Sequence, residues 1–391
     1  MRRILTHFWE AFRKGDLILL LLCVLASAFG CLIIASTTAA GTAGPTRYII
    51  IQIAVSLVGV VLYTWVSSAD MEWFSEKRRW LVGFNVVLLL LLIPFGKTVN
   101  GNRSWLDFFF LPFDIQPAEL CKISFILIMA SVMASHQNNL SAPKSVFHMC
   151  AHFLLIFGMN YIISGDMGVS LIFAFIFAGM VFCSGVSMVW IGSAIAFFAV
   201  VIPIAWNMMS DDNYMKTRIA VLFNPELDAN GTGVRYQTVR ALRSLVGGGL
   251  TGQGLFEGHR TQTNGALFAQ HTDFIYSAIG EELGFVGCAA VLVLLCLIII
   301  RCFWVGIRSQ DTLRRLVCFG VASALMFQVI INVGMNIGVM PVIGLTLPFI
   351  SYGGSSAITL YVMLGLVSGA YAHPTATSHE RYIRPPIHTL N

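Results

Sequence analysis

Apolar residues run along this chain in long blocks, not at the alternating spacing of a strand or the three-four spacing of a half-buried helix. Ten blocks can be marked: 16–37, 46–67, 78–96, 116–135, 145–164, 167–184, 187–206, 274–300, 312–337 and 351–371. Each is close to the roughly 17–25 residues that an α-helix needs to cross about 30 Å of hydrocarbon. Helices are expected because lipid offers no hydrogen bonds, so every backbone N–H and C=O must be paired within its own segment. The blocks between 145 and 206 are interrupted only by Gly165-Asp166 and by Ser184 to Ser187. The pattern predicts an all-α, polytopic membrane protein with about ten transmembrane helices. It forms one membrane domain over 1–391, with a single large extracytoplasmic loop at about 207–272.

Composition supports that class and excludes a soluble fold. Hydrophobic residues make up 57% of the chain and charged residues only 11%, with a mean hydropathy of +0.78. A water-soluble surface needs more charge than this, whereas lipid-facing helices need none. The first apolar block is a full span without a small-residue cleavage site, so no cleaved leader is expected.

Charge orients the spans. With alternating loops, 14 of the 24 Lys and Arg fall on the side of both termini, Arg2, Arg3, Arg381 and Arg384 among them, and nine on the other. Six of those nine lie in the long loop, which translocates regardless of charge. Both termini are therefore expected to be cytoplasmic. Acidic residues favour the outer side, with Asp211 and Asp212 in the long loop and Asp166, Asp273, Glu281 and Glu282 at or beside helix ends, where a bland solvated role is costly. The nine cysteines lie in or beside spans, so the outer loop has no disulfide framework, and the histidines form no HExxH; no zinc site is predicted.

The long loop carries its own signals. Val234, Val239, Leu242 and Leu245 predict an amphipathic helix over about 233–245, with Arg235, Arg240 and Arg243 off its apolar face. It reads either as an interfacial strut touching lipid phosphates or as a clamp for a diphosphate. The run Gly247-Gly248-Gly249-Leu250-Thr251-Gly252-Gln253-Gly254 matches GxGxxG at Gly247, Gly249 and Gly252, but no strand precedes it, so a dinucleotide site is not expected. Its glycines are expected to let the backbone approach the bilayer or a substrate, leaving amides free for oxyanions.

The loop ends on Gln270-His271-Thr272-Asp273-Phe274. Thr272 or His271 can cap a helix starting at Phe274, which would make Asp273 a first-turn acid stabilised by the helix dipole. The other reading is a general base whose proton affinity is raised in a partly dehydrated cavity. Glu281 and Glu282 fall about 80° and 180° from Asp273 on an ideal helix, so neither is a same-face partner. Glu119 and Lys122 share a helical face just inside a span, where they form an ion pair or bind a charged ligand. Asn332 and Asn336 share a face of the ninth span, and Pro348 to Ser356 make a polar, glycine-rich entry to the last.

Taken together, these motifs resemble the SEDS family (shape, elongation, division, sporulation), the RodA and FtsW type of cell-wall polymerase. The resemblance rests on Gly101 to Trp105, Gln116-Pro117-Ala118-Glu119 with Lys122, Gly165 to Gly168, the glycine run, His271 to Phe274 with Glu281 to Gly284, and Asn336 to Ser356. It implies ten spans in the bacterial cytoplasmic (inner) membrane and a peptidoglycan glycosyltransferase that polymerises lipid II at the outer face, for elongation or division. Asp273 matches the family's catalytic aspartate, the base for the acceptor sugar hydroxyl. Arg47, Arg103, Glu119, Lys122, Asp166, Gln237 and Arg240 match positions expected to bind substrate or shape its cavity. The resemblance also implies a divalent cation (Mg or Mn) at the leaving diphosphate and no organic cofactor. Its implied partners are lipid II, a class B penicillin-binding protein (a transpeptidase) and membrane lipids, with no nucleic acid. The sequence departs from the family where Leu267-Phe268-Ala269 stands in place of Leu-Pro-Glu, which implies an altered loop path. The same spans and internal charges would also serve a lipid II flippase, the alternative reading of a different class.

Overall fold

A computed structural model describes residues 12–39, 45–99, 101–108, 112–210, 214–263 and 265–373. Arg2, Arg3, Asp211, Asp212, Arg381 and Arg384 lie outside them. Ten helices among the described residues are long and apolar enough to cross a membrane. They are Leu17–Thr38, Thr46–Ser67, Arg78–Phe95, Pro117–Ser135, Pro143–Ser164, Met167–Ser184, Met188–Met208, Ile275–Arg308, Thr312–Asn336 and Gly354–Ala372, called the first to tenth spans below. The fourth and ninth are the most enclosed, and the seventh has no buried residue at all.

Polar ties hold the bundle at one end, where solvent cannot be relied on to satisfy them. Asp16 caps the first span through Leu19 N at 3.1 Å and pairs with Arg301 of the eighth at 2.8 Å. Its backbone carbonyl accepts from the Tyr63 hydroxyl of the second span, and its N–H donates to Ser368 of the tenth. One buried residue thereby fastens four spans. Buried polar groups in a bilayer protein have to be paired in this way.

The eighth span departs most from its expected form. It runs 34 residues, about 50 Å at 1.5 Å per residue, well beyond the hydrocarbon thickness. Gly284 breaks it, with φ 68° and ψ −163°. The part after the break is by itself long enough to cross. The part before it, from Ile275 to Glu282, is buried in protein along its whole length.

The glycine run repairs that break. Gln253 N and Gly254 N donate to the Glu281 and Glu282 carbonyls, both at 3.0 Å, while Phe285 N and Val286 N donate to Gly249 O and Leu250 O at 2.9 and 3.1 Å. These bonds replace the helical ones lost at Gly284. The amides at 253 and 254 are therefore not free for an anion, contrary to the sequence expectation, because an interrupted helix buried in protein must find partners for its freed groups.

A hairpin and one loop helix carried no sequence signal, whereas a second loop helix is the one its apolar spacing predicts. Strands β1 (Gly96–Val99) and β2 (Asn102–Leu106) form an antiparallel hairpin after the third span, extended by a bridge from Leu106 to Ile115. The long loop holds a helix at Tyr214–Phe223 and another at Tyr236–Gly248. The latter starts three residues later than its apolar spacing suggests. Asp228 accepts backbone hydrogen bonds from Thr232, Gly233 and Arg235, which holds the segment before Tyr236 in a turn and its own carboxyl below the usual range.

Candidate active site

His271, Thr272 and Asp273 lie in the turn that leads into the buried half of the eighth span, and the protein grips each of their carbonyls. His271 O accepts from Tyr352 N at 2.8 Å, and Thr272 O from Ser351 Oγ at 2.6 Å. Asp273 O accepts from both Asn332 Nδ2 and Asn336 Nδ2 at 3.0 Å. Asn336 Oδ1 in turn takes Ser277 N and Oγ from the first turn of the helix. The paired amides on one face of the ninth span thus exist to hold this backbone.

Upstream, Gln270 Nε2 donates to Thr37 O and Thr261 O, tying the loop to the end of the first span. Ala269 adopts φ 50°, and its carbonyl accepts from both Thr272 N and Phe274 N. This tight turn occupies the place where the family's Leu-Pro-Glu would end. The helix cap is Phe274, without a side-chain cap bond, and Thr272 Oγ1 turns back to Ala269 O. Asp273 therefore precedes the helix and is not a first-turn acid capped by Thr272 or His271.

Held this way, the Asp273 carboxylate accepts no hydrogen bond among the described residues. Burial pushes its pKa up to about 6, and the charge of Asp166 adds to the rise. A Cβ on Gly344, at φ 69°, would come within 3.6 Å of Asp273 Oδ2, so bare backbone lines this side of the acid.

Asp166 caps the sixth span through Val169 N at 3.1 Å and also accepts from Gln116 Nε2 at 3.2 Å and Ser104 Oγ at 3.4 Å. Burial raises its proton affinity, and the nearby charge of Glu119 raises it further, partly offset by these bonds. Glu119 is paired with Lys122 at 2.8 Å in the buried first turns of the fourth span. Lys122, Glu119, Asp166 and Asp273 thus form one electrostatic neighbourhood drawn from two spans and the loop.

The remaining sequence candidates sit around this core. Arg47 is exposed at the start of the second span, with its charge felt by Tyr352. Beside it Tyr48, His271 and Tyr352 bring their rings together, centroids 5.1 to 5.9 Å apart, and burial lowers the proton affinity of His271. Arg103 is exposed on β2 and turns back to Gly96 O at 3.2 Å. Arg240 donates to Gly265 O and Ala266 O at 2.7 and 2.8 Å and lies over the Tyr236 ring, bracing the loop that leads to Asp273. Gln237, one turn before it, is half-buried. Arg235 and Arg243 point to a different groove. Three residues of the site carried no assignment from sequence: Gln116, Gln270 and Ser351. All three lay inside motifs, but a polar residue near a span end does not announce its partner.

Among the described residues no group of three or more His, Cys, Asp or Glu side chains can hold a metal ion. Asp166 and Asp273 provide two carboxylates, the number that a Mg ion shared with substrate phosphates takes from protein.

Comparison with known proteins places the whole bundle in context. Residues 16–375 match the FtsW/RodA/SpoVE family, described as cell cycle protein. The chain is 32% identical over 368 residues to peptidoglycan glycosyltransferase MrdB of Escherichia coli (strain K12), covering 94% of this chain and 95% of that protein. It is 33% identical over 305 residues to a probable peptidoglycan glycosyltransferase FtsW of Thiomicrospira cyclica, covering 76% and 75%. Its fold resembles a chain solved in work on the coordination of polymerization and crosslinking by a peptidoglycan synthase complex, with a TM-score of 0.74, 27% identity and coverage of 91% and 97%. It also resembles the rod shape determining protein RodA of Thermus thermophilus, with a TM-score of 0.67, 25% identity and coverage of 91% and 96%.

Proposed function

The chain belongs to the FtsW/RodA/SpoVE family of cell cycle proteins, and on that footing we propose that it is a peptidoglycan glycosyltransferase that polymerises lipid II with Asp273 as general base. The observation that carries the assignment is a carboxylate held still by its own backbone, left without a hydrogen bond and raised to about 6. A base with that proton affinity is largely ionised at neutral pH yet still able to accept a proton in the transition state.

In this reading Asp273 takes the proton of the acceptor sugar's 4-hydroxyl. The freed oxygen attacks the anomeric carbon of the donor sugar, whose bond to undecaprenyl diphosphate breaks with inversion. Asp166, with Glu119 and Lys122 behind it, sets the field around the base. Arg47 and Arg103 stand on the exposed side of the site, where they can meet substrate phosphates. Gln237 and Arg240 act from the loop helix, Arg240 through the loop it braces. A Mg or Mn ion, if shared with the substrate diphosphate, would be held by the Asp166 and Asp273 carboxylates and would neutralise the leaving charge there; no step is routed through it. The partner proposed for the finished strand is a class B penicillin-binding protein, and the charge distribution supports both termini in the cytoplasm with Asp273 outside.

Purified protein supplied with lipid II should make glycan strands, and Asp273→Asn, with an unfolding transition as cooperative as that of the parent, should make none. Strands formed at the parental rate by that variant would remove Asp273 as the base. Lipid II moved across vesicles without strand formation would favour a flippase instead.

A further inference from the structure

A groove of about 590 Å³ opens beside the loop helix Tyr236–Gly248, on the side away from Arg240. That volume suits a headgroup-sized ligand. Arg235 lines it from the cap of the helix, Arg243 from the helix itself, Arg260 from the following loop and Glu281 from the buried half of the eighth span. The helix contributes an apolar floor of Val239 and Leu242. Close by, Val246 and Leu250 are 78% and 74% exposed, as expected of a surface that meets the bilayer.

The side chains of Arg243 and Arg260 make no hydrogen bond or ion pair among the described residues, and Arg235 spends one donor on Pro225 O. Glu281 is 1% exposed. Its Oε1 accepts from Arg260 N at 2.6 Å, and its Oε2 is buried without any partner. A buried carboxylate oxygen left without a donor is costly, so the site is incomplete as it stands. Three guanidinium groups also outnumber the one carboxylate. The groove therefore offers an excess of positive charge for phosphate, one acceptor for a ligand donor, and an apolar exit toward lipid.

We propose that this groove is a second binding site, taking a phosphorylated lipid headgroup whose phosphate is held by Arg235, Arg243 and Arg260 and whose hydroxyl or N–H group donates to Glu281. Guanidinium forks match phosphate oxygens in pairs, and the carboxylate discriminates by repulsion against a bare phosphate, which carries more negative charge than an esterified one. Two sources share this chemistry: a glycerophospholipid of the outer leaflet and a lipid-linked diphosphate sugar. The site stands apart from the assignment of Asp273, since it needs no chemistry at that residue.

Native mass spectrometry of the full chain, titrated separately with phosphatidylglycerol, lipid II and inorganic diphosphate, tests it. At least one lipid should bind saturably, and Arg243→Glu or the Arg235→Ala/Arg243→Ala pair should weaken one bound equivalent at least tenfold. Glu281→Gln should weaken it severalfold, while inorganic diphosphate binds at least tenfold more weakly than the preferred lipid. Arg243 is exposed and unbonded, so its reversal leaves the fold intact. Tighter binding of lipid II makes the groove a subsite for the lipid-linked diphosphate, and tighter binding of phosphatidylglycerol makes it a bilayer anchor. Either supports the site. No saturable lipid, or lipid affinity unchanged in both arginine variants, overturns it. Because binding is the readout, a failure here is separate from a failure of polymerisation.

Discussion

Asn336 Nδ2 donates to the main-chain carbonyl of Asp273 at 3.0 Å, while Oδ1 of the same amide accepts from Ser277 N and Oγ on the helix that follows. One side chain on the ninth span therefore fixes both the backbone of the base and the start of its helix. Replacing Asn336 by Leu would leave a buried carbonyl with one donor fewer and the Ser277 hydroxyl without its acceptor, with Ser277 N left to Phe274 O alone. The expected cost is about 2–4 kcal/mol in stability, read as a lower unfolding temperature. Strand formation should fall at least tenfold even where the protein stays folded, because the carboxylate is no longer held in place.

The raised proton affinity of Asp273 predicts a pH profile. A base works ionised, so polymerisation should rise with pH through a limb near 6. Asp166→Asn removes the neighbouring charge that helps raise it, so the limb should move to lower pH. A limb that stays put would show that Asp166 does not act on the base.

Stability should run the other way. The folded protein holds the Asp273 proton more tightly than the usual value of 3.8 allows in the unfolded chain. Its contribution therefore falls as pH rises from about 4 to about 6 and stays lost above. Asp273→Asn escapes that loss. At pH 7 the variant should be the more stable protein by up to about 3 kcal/mol, less where solvent screens the half-buried group. Thermal unfolding of the two at pH 4 and pH 7 reads the difference, which should shrink at the lower pH.

The Lys122–Glu119 pair, 0% and 6% exposed, lies where an unpaired charge cannot be hydrated. Lys122→Met should cost roughly 3–5 kcal/mol, since it strands the Glu119 carboxylate. Adding Glu119→Gln should recover much of that in unfolding measurements. Recovery of stability without recovery of strand formation would separate the pair's effect on Asp166 from its place in the core.

Much of this was written in the pattern of apolar blocks, because lipid imposes one long rule on each span: all ten appear within a few residues of their expected limits, except the eighth. That block, 274–300, read as a simple span ending near 300, yet it is a buried half-helix, a break at Gly284 and a longer crossing to Arg308. Apolarity cannot tell burial in protein from exposure to lipid, so the break was invisible. The acids and amides of the site were visible one by one. Asn332 and Asn336 shared a face, and Glu119 and Lys122 formed the pair their spacing allowed. What spacing could not supply was the partner across the fold, as with Asn336 and Asp273 or Gln270 and Thr37. The arginines of the loop helix show the same limit: three on one element, but Arg240 turned to the loop and Arg235 and Arg243 to the groove.

The glycine run offers the sharpest test of how the loop and the eighth span depend on each other. A Cβ on Gly248 would lie 1.8 Å from Gly280 O, and one on Gly252 would lie 2.1 Å from Glu282 O, in both cases against backbone that carries the break. Gly252 also has φ 82°, where an L-residue is strained. Neither clash can be relieved by a side chain moving aside. Gly248→Ala or Gly252→Ala should therefore push the glycine segment off Glu281 and Glu282, undo the bonds that replace the missing helical ones, and lower stability by more than about 3 kcal/mol. Gly247 sits in the same run, but its Cβ would meet only the end of the Gln253 side chain at 3.3 Å. Gly247→Ala should cost less than about 1 kcal/mol, and a helix-interior alanine offsets part of that. Hydrogen exchange at Phe285 and Val286, whose amides donate to Gly249 and Leu250, should accelerate in the first two variants and stay slow in the third. Equal protection in all three would mean that the break in the eighth span holds itself without the glycine segment.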